Sequence, residues 1–426
     1  MQLLTHRFAL ILSDDNFDEF EKWSRKKIEE YQLDRLRRLV AEVKKTNSLY
    51  NVKLKELDPD DISSIEALSE VPPTSKKDLI SALSSEDLTS NEDQRIFFTT
   101  RGSTGETLVI PQNDEELDEY GWPAARGLWW SGLRRGMKIV TLPPAWHRLA
   151  ASEAAAVGLI GAEQVIFWGS TSEKYVQNFL KAVRRTRAQF ISITTPFLLT
   201  IFNRGGKRAL EGVEKCITVG APLSIPARKK ICEESGLGEI FERAGTQEGA
   251  AMDECRFHDA HHIHEDVCLL EVVKMNDVSH AAAGEVGRLV VTAFVRRSVP
   301  TIRYLTGDLA VFFDEECRCG RKLKRVELLD REENIIVVDG KRILPYQVRQ
   351  IMDRDEEYCA RNFVMVRGKP DKLHVIVEGG GDLNRLRRLL KDELYVEVLV
   401  ESTGSIPLRF GFRPVINFED LNKVGF

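Results

Sequence analysis

The stretch Phe190-Ile191-Ser192-Ile193-Thr194-Thr195-Pro196-Phe197-Leu198-Leu199-Thr200-Ile201-Phe202-Asn203-Arg204 decides the fold class. An apolar strand over Phe190–Thr194 runs directly into a helix over 196–204. The alternation continues on both sides. Upstream lie a strand at 137–142, a small-residue helix at 150–160, a strand at 165–168 and a helix at 176–187. Downstream come a strand at 216–219, a turn at Gly220-Ala221-Pro222 and a helix at 225–234. Strands and helices alternating every roughly 20–30 residues predict an α/β domain with a largely parallel sheet.

The pattern changes farther along. From about residue 263, runs at 268–273, 287–294 and 310–313 predict antiparallel strands with short turns. A second change falls at Asp330-Arg331-Glu332-Glu333-Asn334. Beyond it lie strands at 335–338, 363–367, 372–377 and 396–399, helices at 345–353 and 383–394, and a turn at Asp339-Gly340. That is a small α+β unit. The expected division is a large domain over 1–329, a hinge over 330–334 and a small domain over 335–426. Ahead of the first strand, charged segments with apolar residues at helical spacing, Leu33, Leu36, Leu39, Val40 and Val43 among them, predict amphipathic helices.

The chain has 426 residues, 42% hydrophobic and 30% charged, enough for more than one domain with a buried core. A net charge of −5 argues against general nucleic-acid binding. There is no apolar run long enough to span a bilayer, and the apolar start Met1 to Leu12 lacks the basic beginning and cleavage site of a signal peptide. Seven unevenly placed cysteines do not form a disulfide framework, so a cytoplasmic protein is expected.

Chemistry concentrates in a few places. Phe97-Phe98-Thr99-Thr100-Arg101-Gly102-Ser103-Thr104-Gly105-Glu106-Thr107 is a hydroxyl- and glycine-rich loop between apolar runs. Unobstructed backbone N–H groups with Ser and Thr hydroxyls can cradle a polyphosphate. No Gly-Lys-Ser/Thr follows at Walker A spacing, and a polar turn between strands is the simpler alternative. Glu242-Arg243-Ala244-Gly245-Thr246-Gln247-Glu248-Gly249 reads as a polar turn after a strand at 239–241. A carboxylate there can hold Mg²⁺ against phosphates, or it is an exposed acidic turn. Asp308 of Arg303-Tyr304-Leu305-Thr306-Gly307-Asp308 can bind two ribose hydroxyls, or cap a strand-ending turn. Cys255, His262, Cys317 and Cys319 supply the donor set of a structural zinc, with His258, His261 and His264 as competitors for the fourth position.

Order and spacing join these pieces. The chain resembles the adenylate-forming superfamily of acyl-CoA synthetases, and within it the phenylacetate–CoA ligase branch. Thr100 to Gly105 is similar to that family's phosphate loop, and Gly220-Ala221-Pro222-Leu223 to its adenine-side turn. Ala244-Gly245-Thr246-Gln247-Glu248 sits where the family has Tyr-Gly-x-Thr-Glu. Tyr304-Leu305-Thr306-Gly307-Asp308 resembles Tyr-x-Thr-Gly-Asp, and Asp330-Arg331-Glu332-Glu333 resembles the hinge motif. The resemblance covers nearly the whole chain. It implies a large α/β domain with mixed and parallel sheets plus a small mobile α+β lid. It also implies ATP-dependent activation of an aryl or apolar acid as an acyl adenylate. The acyl group then passes to coenzyme A, a carrier-protein thiol or an amine.

The resemblance assigns ATP binding to Thr100, Gly102, Ser103, Thr104, Gly105, Gly220, Ala221, Pro222, Gly245, Thr246, Asp308 and Arg331. It assigns catalysis to Glu248, Thr246, Arg331 and Glu333, with Glu248 on Mg²⁺. Some members of the branch carry a zinc at positions like Cys255, His262, Cys317 and Cys319. A homodimer is compatible with the same likeness. Three residues depart from the pattern: Ala244 for an aromatic residue, Arg101 for a small one, and Phe412 for the lysine that stabilises charge on the transferring phosphate, with Arg413 beside it and Lys423 nearby. The departures define an alternative from another class, a non-catalytic or partner-dependent relative that binds nucleotide or acyl ligand. Trp122, Trp129, Trp130, Trp146, Trp168 and Phe197 are read as core residues, with one or two lining an acyl pocket.

Overall fold

A computed structural model describes residues 9–84, 96–99, 109–142, 148–167, 173–295, 298–368, 371–404, 406 and 414–423. The loop residues Thr100 to Thr107, Trp146, Trp168, Phe412 and Arg413 lie outside them. The chain divides into two compact units. One comprises Met1–Gly136, Pro143–Glu163 and Arg243–Leu328, and the other Met137–Leu142, Gln164–Glu242 and Leu329–Phe426. The mixed α/β class expected from the sequence is what the structure has.

The second unit carries the parallel part. Lys215–Val219, Phe190–Thr194 and Lys138–Thr141 run side by side and parallel, with Ile139 opposite Phe190 and Phe190 opposite Lys215. The strand Phe190–Thr194 is buried at every position, because helices cover both faces of a parallel sheet and leave no polar side. Thr195-Pro196 turns it into the helix Thr195–Arg204, where proline at the first turn costs no hydrogen bond.

The same unit holds a four-stranded sheet of Val398–Thr403, Leu373–Glu378, Phe363–Arg367 and Val415–Asn417, in that order, with its own apolar core. The sequence reading missed its last strand, a three-residue parallel pairing too short to show a period. Ile336–Val338 and Lys341–Ile343 form a hairpin over Asp339-Gly340. Both turn residues have positive φ, 48° and 77°, as a tight hairpin turn demands. Ser224 donates to the buried Asp353 carboxylate at 2.7 Å, and Arg204 pairs with Glu378 at 2.6 Å. These contacts join the C-terminal sheet region to the 164–242 segment.

The first unit is mostly antiparallel. Ala251–Glu254 pairs with the end of Glu239–Gly245 on one side and with His261–Ile263 on the other. His261–Ile263 pairs in turn with Arg325–Arg331. Beyond it lie Tyr304–Phe313, Gly287–Ala293 and Cys268–Val273. Antiparallel pairing thus begins well before 263: Ile96–Thr99 pairs with Val109–Gln112, and the end of Glu239–Gly245 with Ala251–Glu254. The helix Asp114–Trp130 packs against Leu149–Ile160. A Cβ on Gly121 would stand 2.9 Å from that of Ala155, so the close approach needs glycine.

A buried charge network runs beneath this unit. Arg126, fully buried on the helix Asp114–Trp130, donates to Asp18 at 2.7 and 3.0 Å and to Asp266 at 3.1 and 3.2 Å. Burial opposes its charge, but the two carboxylates outweigh that and raise its pKa above the ordinary arginine value. Arg126 also lies 3.1 Å from Nδ1 of His264. A guanidinium only donates, so that nitrogen accepts, and the ring proton sits on Nε2, which donates to Asp253 at 2.8 Å. Trp122 and Trp130 donate to Asp18 and Glu21, and Trp129 to the Ser13 carbonyl, so these tryptophans tie the N-terminal segment to the unit. Arg126→Ala is expected to cost about 3–5 kcal/mol, because two buried carboxylates lose their counter-charge. A urea unfolding curve checks this, and a midpoint unchanged from wild type contradicts it.

Candidate functional site

The strand Glu239–Gly245 is longer than the 239–241 expected from sequence. Arg243, Ala244 and Gly245 still pair, opposite Asp253, Met252 and Ala251. The extension has a cause: Arg243 and Asp253 face each other across the ladder as an ion pair of 2.7 Å, both nearly buried. The turn proper is therefore Thr246-Gln247-Glu248-Gly249. Gly245 is required at its start, since a Cβ there would meet the Ala250 carbonyl at 2.8 Å. Gly249 closes the turn at a φ of 126°.

The turn is held from several directions. Thr246 N–H donates to Ala250 O at 3.1 Å, Gly249 N–H to Thr246 O at 3.3 Å, and Ala250 N–H to the Thr246 hydroxyl at 3.3 Å. Thr301 donates its hydroxyl to Glu248 O at 2.7 Å. The Tyr304 hydroxyl donates to the Glu248 carboxylate at 3.4 Å. Glu248 is half-buried, so the carboxylate is oriented by the protein and still reachable by a cation.

Tyr304 begins the strand Tyr304–Phe313, which runs unbroken through Asp308. The sequence expectation of a strand end at Gly307 is corrected here. Leu305 pairs with Val290 and Leu309 with Arg288, so Thr306, Gly307 and Asp308 all stand opposite Leu289. Gly307, at φ 79°, permits this bulge. Thr306 donates its hydroxyl to Leu289 O at 3.2 Å and accepts from Asp308 N–H at 3.0 Å. Asp308 is thereby presented half-buried from within a strand. Glu248 and Tyr304 are in contact, and Asp308 follows on the same strand as Tyr304.

Gly220, Ala221 and Pro222 belong to the other unit. Gly220 has φ 96°, and Ala221 O accepts from Thr195 at 2.7 Å. Leu223 N–H and Arg228 bind the Glu242 carboxylate at 2.5 and 2.9 Å, which fixes the turn's exit. In that unit too, Arg331 ends the strand Arg325–Arg331 and pairs with Glu333 at 3.3 Å, both partly exposed. Asp330 accepts from Arg331 N–H and from Asn334, at 2.7 and 2.6 Å. Arg367 donates to Glu333 O and Ile335 O.

Four of the predicted metal donors converge. Nε2 of His262 lies 3.3 Å from Cys319 Sγ, and Cys255 Sγ lies 3.6 Å from Cys317 Sγ. All four donor atoms lie within 4.8 Å of one another. Bonds of roughly 2.0–2.3 Å to a tetrahedral zinc imply donor separations of about 3.3–3.8 Å. The convergence follows from pairing: Cys255 directly follows the strand Ala251–Glu254, His262 lies opposite Asp253, and Arg325 brings the Cys317-Arg318-Cys319 turn alongside His262. A hydrogen bond shared with Cys255 pulls the Cys319 thiol down and pushes that of Cys255 up. Burial opposes charge on His262, but hydrogen bonds to Cys317 and Cys319 outweigh it and raise its pKa. Two of the three competing histidines go elsewhere, His258 to Glu254 at 3.0 Å and His264 to Asp253.

Sequence reasoning overlooked Arg148. It precedes the helix Leu149–Ile160 and donates to the Thr246 and Ala250 carbonyls. A charged residue opening a helix of mostly small and apolar residues was the available signal. It also overlooked Thr301.

Comparison with known proteins follows the same lines. No protein-family model matches the chain. It is 26% identical over 387 residues to a phenylacetate-coenzyme A ligase of Thermus thermophilus, covering 84% of this chain and 83% of that one. It is 23% identical over 427 residues to the phenylacetate-coenzyme A ligase of Escherichia coli, covering 93% and 96%. A 2-hydroxyisobutyryl-CoA ligase in the postadenylation state, in complex with R3-HIB-AMP, has the same fold, with a TM-score of 0.85, 18% identity and coverage of 98% and 96%. The O-succinylbenzoate coenzyme A synthetase of Bacillus subtilis, in complex with AMP, gives a TM-score of 0.55 at 16% identity, covering 74% and 67%. The chain is thus similar over most of its length to phenylacetate-coenzyme A ligases, and it has the fold of a 2-hydroxyisobutyryl-CoA ligase. Among the described residues no helix is long and apolar enough to cross a membrane.

Proposed function

We propose that the chain activates a carboxylic acid, aryl or apolar, with ATP. The acid's carboxylate oxygen attacks the α-phosphate, pyrophosphate leaves, and an acyl adenylate forms. The thiol of coenzyme A then displaces AMP; a carrier-protein thiol or an amine is the other acceptor class. The observation that carries the proposal is the held turn at Thr246 to Gly249, with Glu248 in contact with Tyr304 four residues ahead of Asp308. Relatives named as coenzyme A ligases support it.

In this reading Thr246 and Gly245 face the nucleotide, Asp308 holds the ribose hydroxyls, and Gly220, Ala221 and Pro222 border the adenine. Thr100, Gly102, Ser103, Thr104 and Gly105 hold the β- and γ-phosphates. Glu248 would hold Mg²⁺, which neutralises phosphate charge when bound. Arg331 binds ribose or phosphate, and Glu333 sits at a pivot over 330–334 about which 335–426 turns between half-reactions. The separate core of that C-terminal sheet and the partly exposed Arg331–Glu333 pair support a hinge there. Pyrophosphate exchange with a panel of aryl and small acids is expected to detect the first step. Glu248→Gln is expected to lower it on the order of a hundredfold. A folded wild type that exchanges with no acid contradicts the proposal.

Phe412 favours a second reading. It stands where the family likeness calls for a lysine, and a phenyl ring supplies no charge to the α-phosphate. The chain is then a nucleotide- or acyl-binding relative that acts with a partner. Phe412→Lys separates the two: a large gain in exchange supports this second reading, and ordinary wild-type turnover removes it.

Cys255, His262, Cys317 and Cys319 would hold a structural zinc that pins the Cys317-Arg318-Cys319 turn to the hairpin. Three thiols and an imidazole fill a tetrahedron and leave no open position for catalysis. Metal analysis is expected to find one zinc per chain, and Cys319→Ser to lose it with a melting temperature several degrees lower. A metal-free wild type with the same melting temperature contradicts this.

A further inference from the structure

We propose that Arg148 is a positioning residue for the nucleotide turn, acting as a buried clamp that sets the shape in which Thr246 and Glu248 are presented. Its role rests on the reading of that turn as the Mg·ATP site. The side chain is only 6% exposed. Its guanidinium lies 3.7 Å from the ring centroid of Tyr120. Its Nε and Nη2 donate to Thr246 O at 3.1 and 2.8 Å, and Nη2 also donates to Ala250 O at 3.0 Å. Its own backbone N–H donates to the Gln247 side chain at 3.2 Å.

These contacts bracket Glu248. Thr246 O and Ala250 O are the two ends of the turn, and one planar cation grips both. Thr301 holds the carbonyl between them, at Glu248 itself. The three alternate carbonyls 246, 248 and 250 are thus each fixed by a side chain from outside the turn. Flipping the peptide at Thr246 O or at Ala250 O breaks charge-assisted hydrogen bonds, which are about twice as strong as neutral ones, and flipping that at Glu248 O breaks the neutral bond from Thr301. Tyr120 keeps the guanidinium plane in place by stacking.

Chemistry selects arginine at this position. A lysine carries the charge but presents a compact ammonium without the fork that reaches two carbonyls while lying flat on a ring. Arg148→Lys is therefore expected to be intermediate, and Arg148→Met to lose the clamp while keeping most of the apolar bulk.

Two measurements test the clamp, each on the full chain. The first is amide hydrogen exchange without ligand. In Arg148→Met the amides of Thr246, Gly249 and Ala250 are expected to exchange at least tenfold faster, with exchange in the 335–426 region unchanged and Arg148→Lys in between. The second is the Mg·ATP concentration giving half-maximal pyrophosphate exchange, or half-maximal thermal stabilisation by Mg·ATP. It is expected to rise about tenfold in Arg148→Met, and half-saturation by the acid to change less than twofold. A purely structural role moves the melting temperature but leaves this split between nucleotide and acid unmoved. If Arg148→Met does not fold, Arg148→Lys carries both measurements with smaller expected changes. Unaltered exchange at 246–250 overturns the proposal, and so does unaltered Mg·ATP half-saturation in a variant whose turn has loosened. If the variant's turn loosens but wild type neither binds Mg·ATP nor exchanges pyrophosphate, the nucleotide reading of the turn falls, and this proposal falls with it, although the clamp on the turn remains.

Discussion

The Arg243–Asp253 ion pair is the contact on which the site region depends. It closes at 2.7 Å across two strands, with both side chains nearly out of water. A buried pair of this kind is costly unless its remaining hydrogen-bond capacity is met. Here it is largely met: Arg243 also donates to the Ala124 carbonyl at 2.9 Å, and Asp253 accepts from His264. Gly127 makes the arrangement possible, because any Cβ there would fall 2.2 Å from the Asp253 carboxylate. From His264 the network passes to Arg126, Asp18 and Asp266, so a short hairpin is bolted to a helix and to the N-terminal segment.

Both parts of the candidate site hang from that hairpin. At one end the chain turns through Thr246 to Gly249 and presents Glu248. At the other, Cys255 follows directly and meets His262, Cys317 and Cys319. Fixing the register of the hairpin fixes both at once, since a one-residue slip would send every side chain to the opposite face. The bulge at Thr306 to Asp308 solves a related problem on a neighbouring strand. It places three residues against one, turns the local backbone, and offers a carboxylate from the middle of a sheet rather than from a loose end.

Much of this was legible in the chain itself. Strand and helix periods gave the parallel region, and the order of the glycine-bounded motifs gave the family likeness. The sequence leaves the fourth ligand open among four crowded histidines, and His262 is the one that meets the three cysteines. What stayed hidden has a common cause. The extension of the strand at Arg243, the bulge at Gly307 and the clamp by Arg148 depend on partners about ten to a hundred residues away, and no local period reports them. The edge strand Val415–Asn417 is too short to signal itself. The tryptophans of the helix Asp114–Trp130 looked like core, and three of them are buried there, yet their ring N–H groups also secure the N-terminal segment.

The central claim is that a carboxylate attacks the α-phosphate of ATP in this protein. Following oxygen tests it most directly. An acid labelled with heavy oxygen in its carboxylate would be incubated with the protein, ATP, Mg²⁺ and coenzyme A, and the released AMP weighed by mass spectrometry. Attack through an acyl adenylate predicts AMP carrying one labelled oxygen from the acid. Unlabelled AMP formed together with acyl thioester, or ADP in place of AMP, would contradict the account.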